Sequence, residues 1–287
     1  MNVQPKIGLA LGGGGMKGLA HLGALSVLEK RGIKPDLVAG CSIGALVGVF
    51  YAAGMPVEEI RQVFMTQDLL ELMSIRLDGK GLIDVDGLGD FLRFTLPYGR
   101  FEDLPTPFFA MCTDIEKGEE VVISSGQLAP AVLASTAVPG IFAPVQLEDR
   151  WLIDGGLFNN LPVQVLLDNG ATQTIAVRLF NRNDWRVLGP QDTDDDRDGE
   201  VSWKEAIKHR LVRRTPLGLR VLERSLDLMI QQVEHLYLQL APPDLLIEPD
   251  VHDISILGFT EDRDPIFERG VLAAERCFVD DQPKWLS

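Results

Sequence analysis

Three short clusters in this 287-residue chain hold the residue types that acyl transfer needs. Gly40-Cys41-Ser42-Ile43-Gly44 places a serine between glycines two positions before and two after it. That is the spacing of a nucleophile elbow, in which a serine sits on a strained turn between a strand and a helix. Larger side chains at 40 and 44 would crowd that turn, and the helix start offers N–H groups and a positive dipole end to the serine oxygen. Cys41 is the neighbouring nucleophile type, but strand alternation turns it away from the tip and reads it as a small core residue. An incidental serine in a glycine-rich turn would leave the same five-residue trace.

The second cluster is Gly12-Gly13-Gly14-Gly15-Met16-Lys17-Gly18. Gly13, Gly15 and Gly18 satisfy a dinucleotide fingerprint, which also wants an acid about 20 residues on, at the end of the next strand. Gly40 and Ser42 stand there instead, and Lys17 is followed by glycine where a Walker loop needs Ser or Thr. The alternative use is an oxyanion hole, with consecutive N–H groups turned toward one point and Lys17 adding positive potential. The serine also needs a group to take its proton. His21 is close to the glycine loop in sequence, on an apolar helix face. His209 and His235 fall in charged helical stretches, and His252 follows a strand in a Ser…Asp…His order. The competing base is Asp154 in Trp151-Leu152-Ile153-Asp154-Gly155-Gly156, a carboxylate at the end of an apolar strand with two glycines clearing space. A partly desolvated carboxylate beside a hydroxyl gains basicity; an aspartate that caps a turn would look the same.

The elements that must position these groups alternate along the chain. Strands are expected at Lys6–Leu11, Asp36–Ala39, Phe108–Cys112, Glu119–Ile123, Thr174–Val177 and Leu245–Glu248. Helices are expected at Gly18–Arg31, Ile43–Ala53, Val57–Gln67, Val85–Leu96, Gln127–Ala134, Leu217–Leu240 and Pro265–Val279. Repeated strand–helix–strand units predict an α/β fold with a central, mostly parallel sheet between two helical layers. One domain spanning 1–287 is expected, because no second set of elements is visible. The acidic stretch 181–200 reads as a surface insertion in it.

Composition limits the function. The formal charge is −15, which argues against nucleic acid as a partner. Cys41, Cys112 and Cys277 are odd in number and widely spaced, so they read as buried thiols in a reducing compartment. The N-terminal sequence lacks the basic head and apolar run of a signal peptide. Leu37–Val57 is uncharged and long enough to cross a bilayer, but its four glycines and Pro56 favour a buried strand, turn and helix. A soluble, cytoplasmic protein is expected.

Taken together, Gly13-Gly14-Gly15-Met16-Lys17-Gly18, Gly40-Cys41-Ser42-Ile43-Gly44 and Asp154-Gly155-Gly156 resemble, in order, the motifs of the patatin-like phospholipases. The stretch Ala134–Val145 and the C-terminal Pro242–Pro249 are similar to small bacterial members of the neuropathy-target-esterase type. The resemblance implies the patatin-like three-layer fold and a serine esterase acting on lipid or acyl-ester substrates, of the phospholipase A or lysophospholipase kind, without metal or other cofactor. It implies Ser42 as nucleophile, Asp154 as its base, and the Gly14 and Gly15 N–H groups as oxyanion hole. Gly13, Lys17, Gly18, Gly40, Gly44, Gly155 and Gly156 would support them. It also implies transient contact with a membrane surface. Two positions depart from common usage, Lys17 for arginine and Gly156 for alanine. An acyltransferase, or a silent lipid-binding protein, would keep the same motifs.

Two further patterns remain. Asp194, Asp196, Asp198, Gly199 and Glu205 follow the spacing of a calcium loop, without an entering helix. Leu69, Leu70, Leu72, Met73, Leu82, Leu88, Phe91 and Phe94 are candidates for an acyl-chain groove or lid, or for ordinary core.

Overall fold

The chain's apolar strands are five to seven residues long at the centre of the sheet, short enough to be buried from end to end. The computed structural model describes residues 5–66, 86–180, 217–254 and 263–280. Within them, β1 (Ile7–Leu11) leads through a 3₁₀ turn at Gly15–Gly18 into α1 (Leu19–Lys30). β2 (Leu37–Cys41), α2 (Ile43–Ala52), α3 (Val57–Thr66), α4 (Asp86–Thr95) and β3 (Phe108–Asp114) follow. Next come β4 (Glu119–Ile123), α5 (Leu128–Thr136), the hairpin β5 (Val145–Leu147) and β6 (Arg150–Asp154), α6 (Gly156–Asn159) and α7 (Val163–Asp168). β7 (Gln173–Val177), α8 (Leu217–Leu240), β8 (Leu245–Ile247) and α9 (Asp264–Asp280) complete the described elements.

The described strands form one eight-stranded sheet ordered β5-β6-β3-β2-β1-β7-β8, with β4 paired to β3. Pairing is parallel through β3-β2-β1-β7-β8 and antiparallel at β3–β4, β3–β6 and β5–β6. Alternation along each strand supplies two cores. Leu9, Leu11, Val38, Ala110 and Ile175 join the core that contains α1, α2, α5 and α9. Ala10, Ala39, Cys41, Met111 and Ala176 join a second one with Leu161, Val165 and Leu166 around α7. The sheet is therefore covered on both faces, as a parallel sheet requires.

Strand order reverses between β1 and β7, because the chain steps from β1 out to β3 and later returns to β1's other edge. Crevices at such a switch point, beyond the carboxyl ends of the strands, are where open α/β sheets bind ligands. The glycine loop leaves β1 at that point. Leu37–Val57 folds as β2, the Ser42 turn and α2, not as a span. Among the described residues, no helix is long and apolar enough to cross a membrane.

One boundary and one element differ from expectation for an identifiable physical reason. β2 extends through Gly40 and Cys41, which pair with Ala110 and Met111 of β3. α7 was not expected, since its six residues are too few to show a helical period. Of the groove candidates, Leu88 is buried core and the Phe91 ring lies 6.1 Å from that of Phe50. Phe94 is 89% exposed. Leu69, Leu70, Leu72, Met73 and Leu82 lie outside the described residues, as do His209 and the calcium-loop positions Asp194, Asp196, Asp198 and Glu205.

Candidate active site

β3 is the template for this site. Its residues 110–114 pair with β4 on one edge, while β2 and β6 share the other edge end to end. β2 finishes at Cys41 beside Met111, and β6, running the opposite way, finishes at Asp154 beside Cys112. Two strand tips 113 residues apart in sequence thus abut, each ending in a turn. Gly155 lets the second turn pass over β3: a Cβ there would lie 2.5 Å from the Met111 carbonyl carbon.

Ser42 carries the first turn. It has φ 54° and ψ −124°, a left-handed conformation that costs a non-glycine residue about 1–3 kcal/mol. Its carbonyl accepts from the N–H groups of Ala45 and Leu46, which starts α2, and its own N–H donates to Ser135 Oγ at 3.0 Å. A serine at a helix start usually caps it with its hydroxyl. Here the side chain makes no cap, and its hydroxyl is near enough to the Asp154 carboxylate to pull that group's pKa down. The flanking glycines are steric requirements. A Cβ on Gly40 would sit 2.3 Å from the Gly44 oxygen, and one on Gly44 2.1 Å from the Leu11 oxygen. Gly18 is equally tight, with a Cβ there meeting Ile43 at 2.1 Å.

Asp154 is 7% exposed. Its Oδ1 accepts the Gly156 N–H at 2.8 Å and the Cys41 thiol at 3.5 Å. Burial raises its pKa above the ordinary carboxylate value; the Ser42 hydroxyl, the Gly156 N–H and the Cys41 thiol pull the other way. These partners are all neutral, so the carboxylate is held in place without a cation to quench its basicity. Cys41 is buried, as the sequence implied, but it also touches this carboxylate. Burial, and then Asp154, push its thiol pKa well up, which makes it a poor nucleophile. The three cysteines are free; Cys41 and Cys112 are buried, whereas Cys277 is only half-buried.

The glycine loop is fixed from several sides. Gly12 N–H donates to Val177 O at 3.1 Å and Gly13 N–H to Asn160 O at 3.2 Å. Gly15 has φ 57° and opens the 3₁₀ turn, where Lys17 N–H bonds to Gly14 O. The Gly14 and Gly15 N–H groups thus precede the first intrahelical bond, at the positive end of the combined 3₁₀ and α1 helix. Lys17 is buried, with Nζ 5.0 Å from the centre of the Phe180 ring. A small hollow of about 10 Å³ lies alongside, lined by Gly15, Met16, Leu19, Ile43, Phe64 and Arg263.

The histidines take other places. His21 is wholly buried, and its Nε2 bonds to Gly12 O at 2.7 Å, bracing the loop from inside. Its Nδ1 has no partner among the described residues. His235 pairs with Gln239, and His252 pairs with Asp250 at the surface. Burial lowers the His21 pKa to about 4, so the ring is a neutral Nε2–H donor near neutral pH. The unfolded chain therefore binds more protons between pH 6.5 and 4, and stability falls as pH falls through that window. The shift corresponds to about 3 kcal/mol at its acid end. His21→Gln keeps an amide donor for Gly12 and does not titrate. Melting curves at pH 7 and pH 4 should show the variant losing less stability than wild type by that order. Equal losses would mean His21 is not held neutral.

Among the described residues, no group of three or more His, Cys, Asp or Glu is placed to hold a metal ion.

Comparison with known proteins identifies the family. Residues 9–167 match the patatin-like phospholipase family. An uncharacterized NTE family protein of Mycobacterium bovis is 34% identical over 214 residues, covering 74% of this chain and 57% of that protein. The neuropathy target esterase of Drosophila melanogaster is 31% identical over 62% of this chain and 13% of its own length. A lysophospholipase of Cryptococcus neoformans is 32% identical over 62% of this chain and 11% of its own. The chain spans about half the length of the mycobacterial relatives it matches. The crystal structure of VipD from Legionella pneumophila superposes with TM-score 0.61 at 14% identity, over 96% of this chain and 67% of that one. With a matched family domain over more than half its length, this chain belongs to the patatin-like phospholipase family.

Proposed function

We propose that this protein is a serine esterase that hydrolyses acyl esters of lipids, of the phospholipase A or lysophospholipase kind. The observation that carries the reading is the abutment of β2 and β6 on one edge of β3, which brings Ser42, on a strained turn, beside a buried Asp154 whose hydrogen-bond partners, the Gly156 N–H and the Cys41 thiol, are neutral. Ser42 Oγ attacks the ester carbonyl carbon while Asp154 takes its proton. The tetrahedral oxyanion is held by the N–H groups of Gly14 and Gly15. Collapse breaks the ester C–O bond, and Asp154 returns the proton to the departing alcohol. Water then attacks the acyl-enzyme, again giving its proton to Asp154, and Ser42 leaves reprotonated with the fatty acid released. No metal or cofactor enters these steps.

The lipid substrate brings transient contact with a lipid surface into the same reading, and the free thiols fit a reducing, cytoplasmic setting. Similarity to a named lysophospholipase supports the substrate class.

The test is labelling with a fluorophosphonate read by intact mass, together with fatty-acid release from lysophospholipid micelles. Wild type should gain one phosphonyl group and release free fatty acid; Ser42→Ala should do neither. A folded wild type that neither labels nor hydrolyses would favour a silent lipid-binding protein. Acyl product on an added alcohol, with no free acid, would make it an acyltransferase.

A further inference from the structure

A buried ion pair lies behind the site, and the mechanism above does not use it. Arg178 follows β7 at the sheet's switch point; its Nε donates to Glu234 Oε1 and its Nη1 to Glu248 at 3.1 Å. Glu234, on α8, is 1% exposed. Its second oxygen accepts from Asn160 Nδ2 at 2.6 Å. Asn160, itself 2% exposed, receives the Gly13 N–H on its backbone carbonyl. Its side-chain Oδ1 lies 2.4 Å from where a Cβ on Gly13 would stand and 3.2 Å from one on Gly156. The Gly13 position also faces Ser42, whose Cβ is 3.2 Å from the same point. One helical turn before Glu234, Ile230 Cδ1 packs 3.5 Å from the corresponding point on Gly156.

Burying two charges seldom stabilises a fold more than apolar residues of the same size would. What this pair supplies is geometric. It fixes one acceptor oxygen, and that oxygen fixes an amide wedged between the glycine loop and the turn after Asp154. We propose that Glu234, held by Arg178, is a positioning residue. Through Asn160 it sets the glycine loop at Gly13 and the turn at Gly156 in register with Ser42. The proposal rests on the esterase reading for its catalytic consequence.

Two double variants isolate the bond to Asn160. Arg178→Met with Glu234→Gln removes both charges and keeps an acceptor for the Asn160 amide. Arg178→Met with Glu234→Leu removes both charges and the acceptor. The leucine variant should show kcat lower by about tenfold or more, with KM within about twofold of the glutamine variant. Its rate of fluorophosphonate labelling should fall in step, and amide exchange over residues 12–18 should be faster. Asn160→Ala, which leaves the ion pair intact, should reproduce the loss of kcat and covers the case in which a double variant does not fold. Equal kcat and equal exchange in the two doubles, or an Asn160→Ala variant at wild-type kcat, would overturn the proposal. A wild type that neither labels nor hydrolyses would count against the esterase reading, and the exchange comparison would still decide whether Glu234 positions the loop.

Discussion

Replacing Ser42 by glycine is expected to abolish hydrolysis, and to give a protein that melts above its Ser42→Ala counterpart. Both variants lose the nucleophile, so turnover should drop by on the order of 10⁴ or more in each. Both also remove the hydroxyl from Asp154, so that loss cancels in the comparison. What differs is the backbone at φ 54°, ψ −124°. Alanine keeps the strain of about 1–3 kcal/mol that a Cβ carries there. Glycine relieves it and gives back about 0.5–1 kcal/mol as unfolded-state entropy. A net difference of about 1–2 kcal/mol should appear as a few degrees in melting temperature. If the two variants melt together, the turn is not strained and the elbow reading loses its energetic basis. If either variant retains turnover, Ser42 is not the nucleophile.

Asp154→Asn is expected to lose about 10⁴ or more in kcat, at least the cost of neutralising the triad aspartate in other serine enzymes. An amide fits the same space and can still accept from the Gly156 N–H, so the fold should survive. The pH profile gives the sharper test. Protonation removes the carboxylate's ability to take the serine proton, so wild-type activity must fall as pH falls through the Asp154 pKa. Burial raises that pKa above its ordinary value, and the acid limb should lie correspondingly higher than for an exposed aspartate. Residual activity in Asp154→Asn should lack that limb. The same shift has a stability consequence of opposite sense. The native state holds the Asp154 proton more tightly than the unfolded chain, so ionisation opposes folding as pH rises through the raised pKa. Asp154→Asn should therefore gain stability relative to wild type near neutral pH and lose that advantage in acid. An acid limb retained in Asp154→Asn would assign the base elsewhere.

Much of the architecture was legible because the signals were local. Short apolar runs bounded by glycine or proline mark β1, β3 and β7, and periodic apolar positions mark α3, α8 and α9. Ser42 is legible for the same reason, since crowding at the turn acts on Gly40 and Gly44, two residues away on either side. Other features lacked a local signature. β5 is only three residues long, and α7 is shorter than two helical turns. Neither leaves a period long enough to read. His21 illustrates a different limit, for nearness in sequence to the glycine loop fitted a base as well as a brace. The direction of Nε2, toward Gly12 O, settles which of these contacts it makes.

Which residues could do chemistry here is written locally, because glycine spacing and carboxylate context are properties of a few consecutive side chains. The two-sided sheet is written locally too, because strand alternation is a property of the backbone. That the Ser42 and Asp154 turns abut is a property of the fold, since it depends on β2 and β6 ending nose to nose on one edge of β3. The fold likewise brought the Cys41 thiol to Asp154 and joined Arg178, Glu234 and Asn160 behind the glycine loop. Arg178 carries a faint local trace, a charge directly after a buried strand. Glu234 carries none, because a carboxylate on a long amphipathic helix looks solvated until the helix is docked. Such contacts join residues tens to more than a hundred positions apart, and their energy comes from burial, which local sequence does not encode.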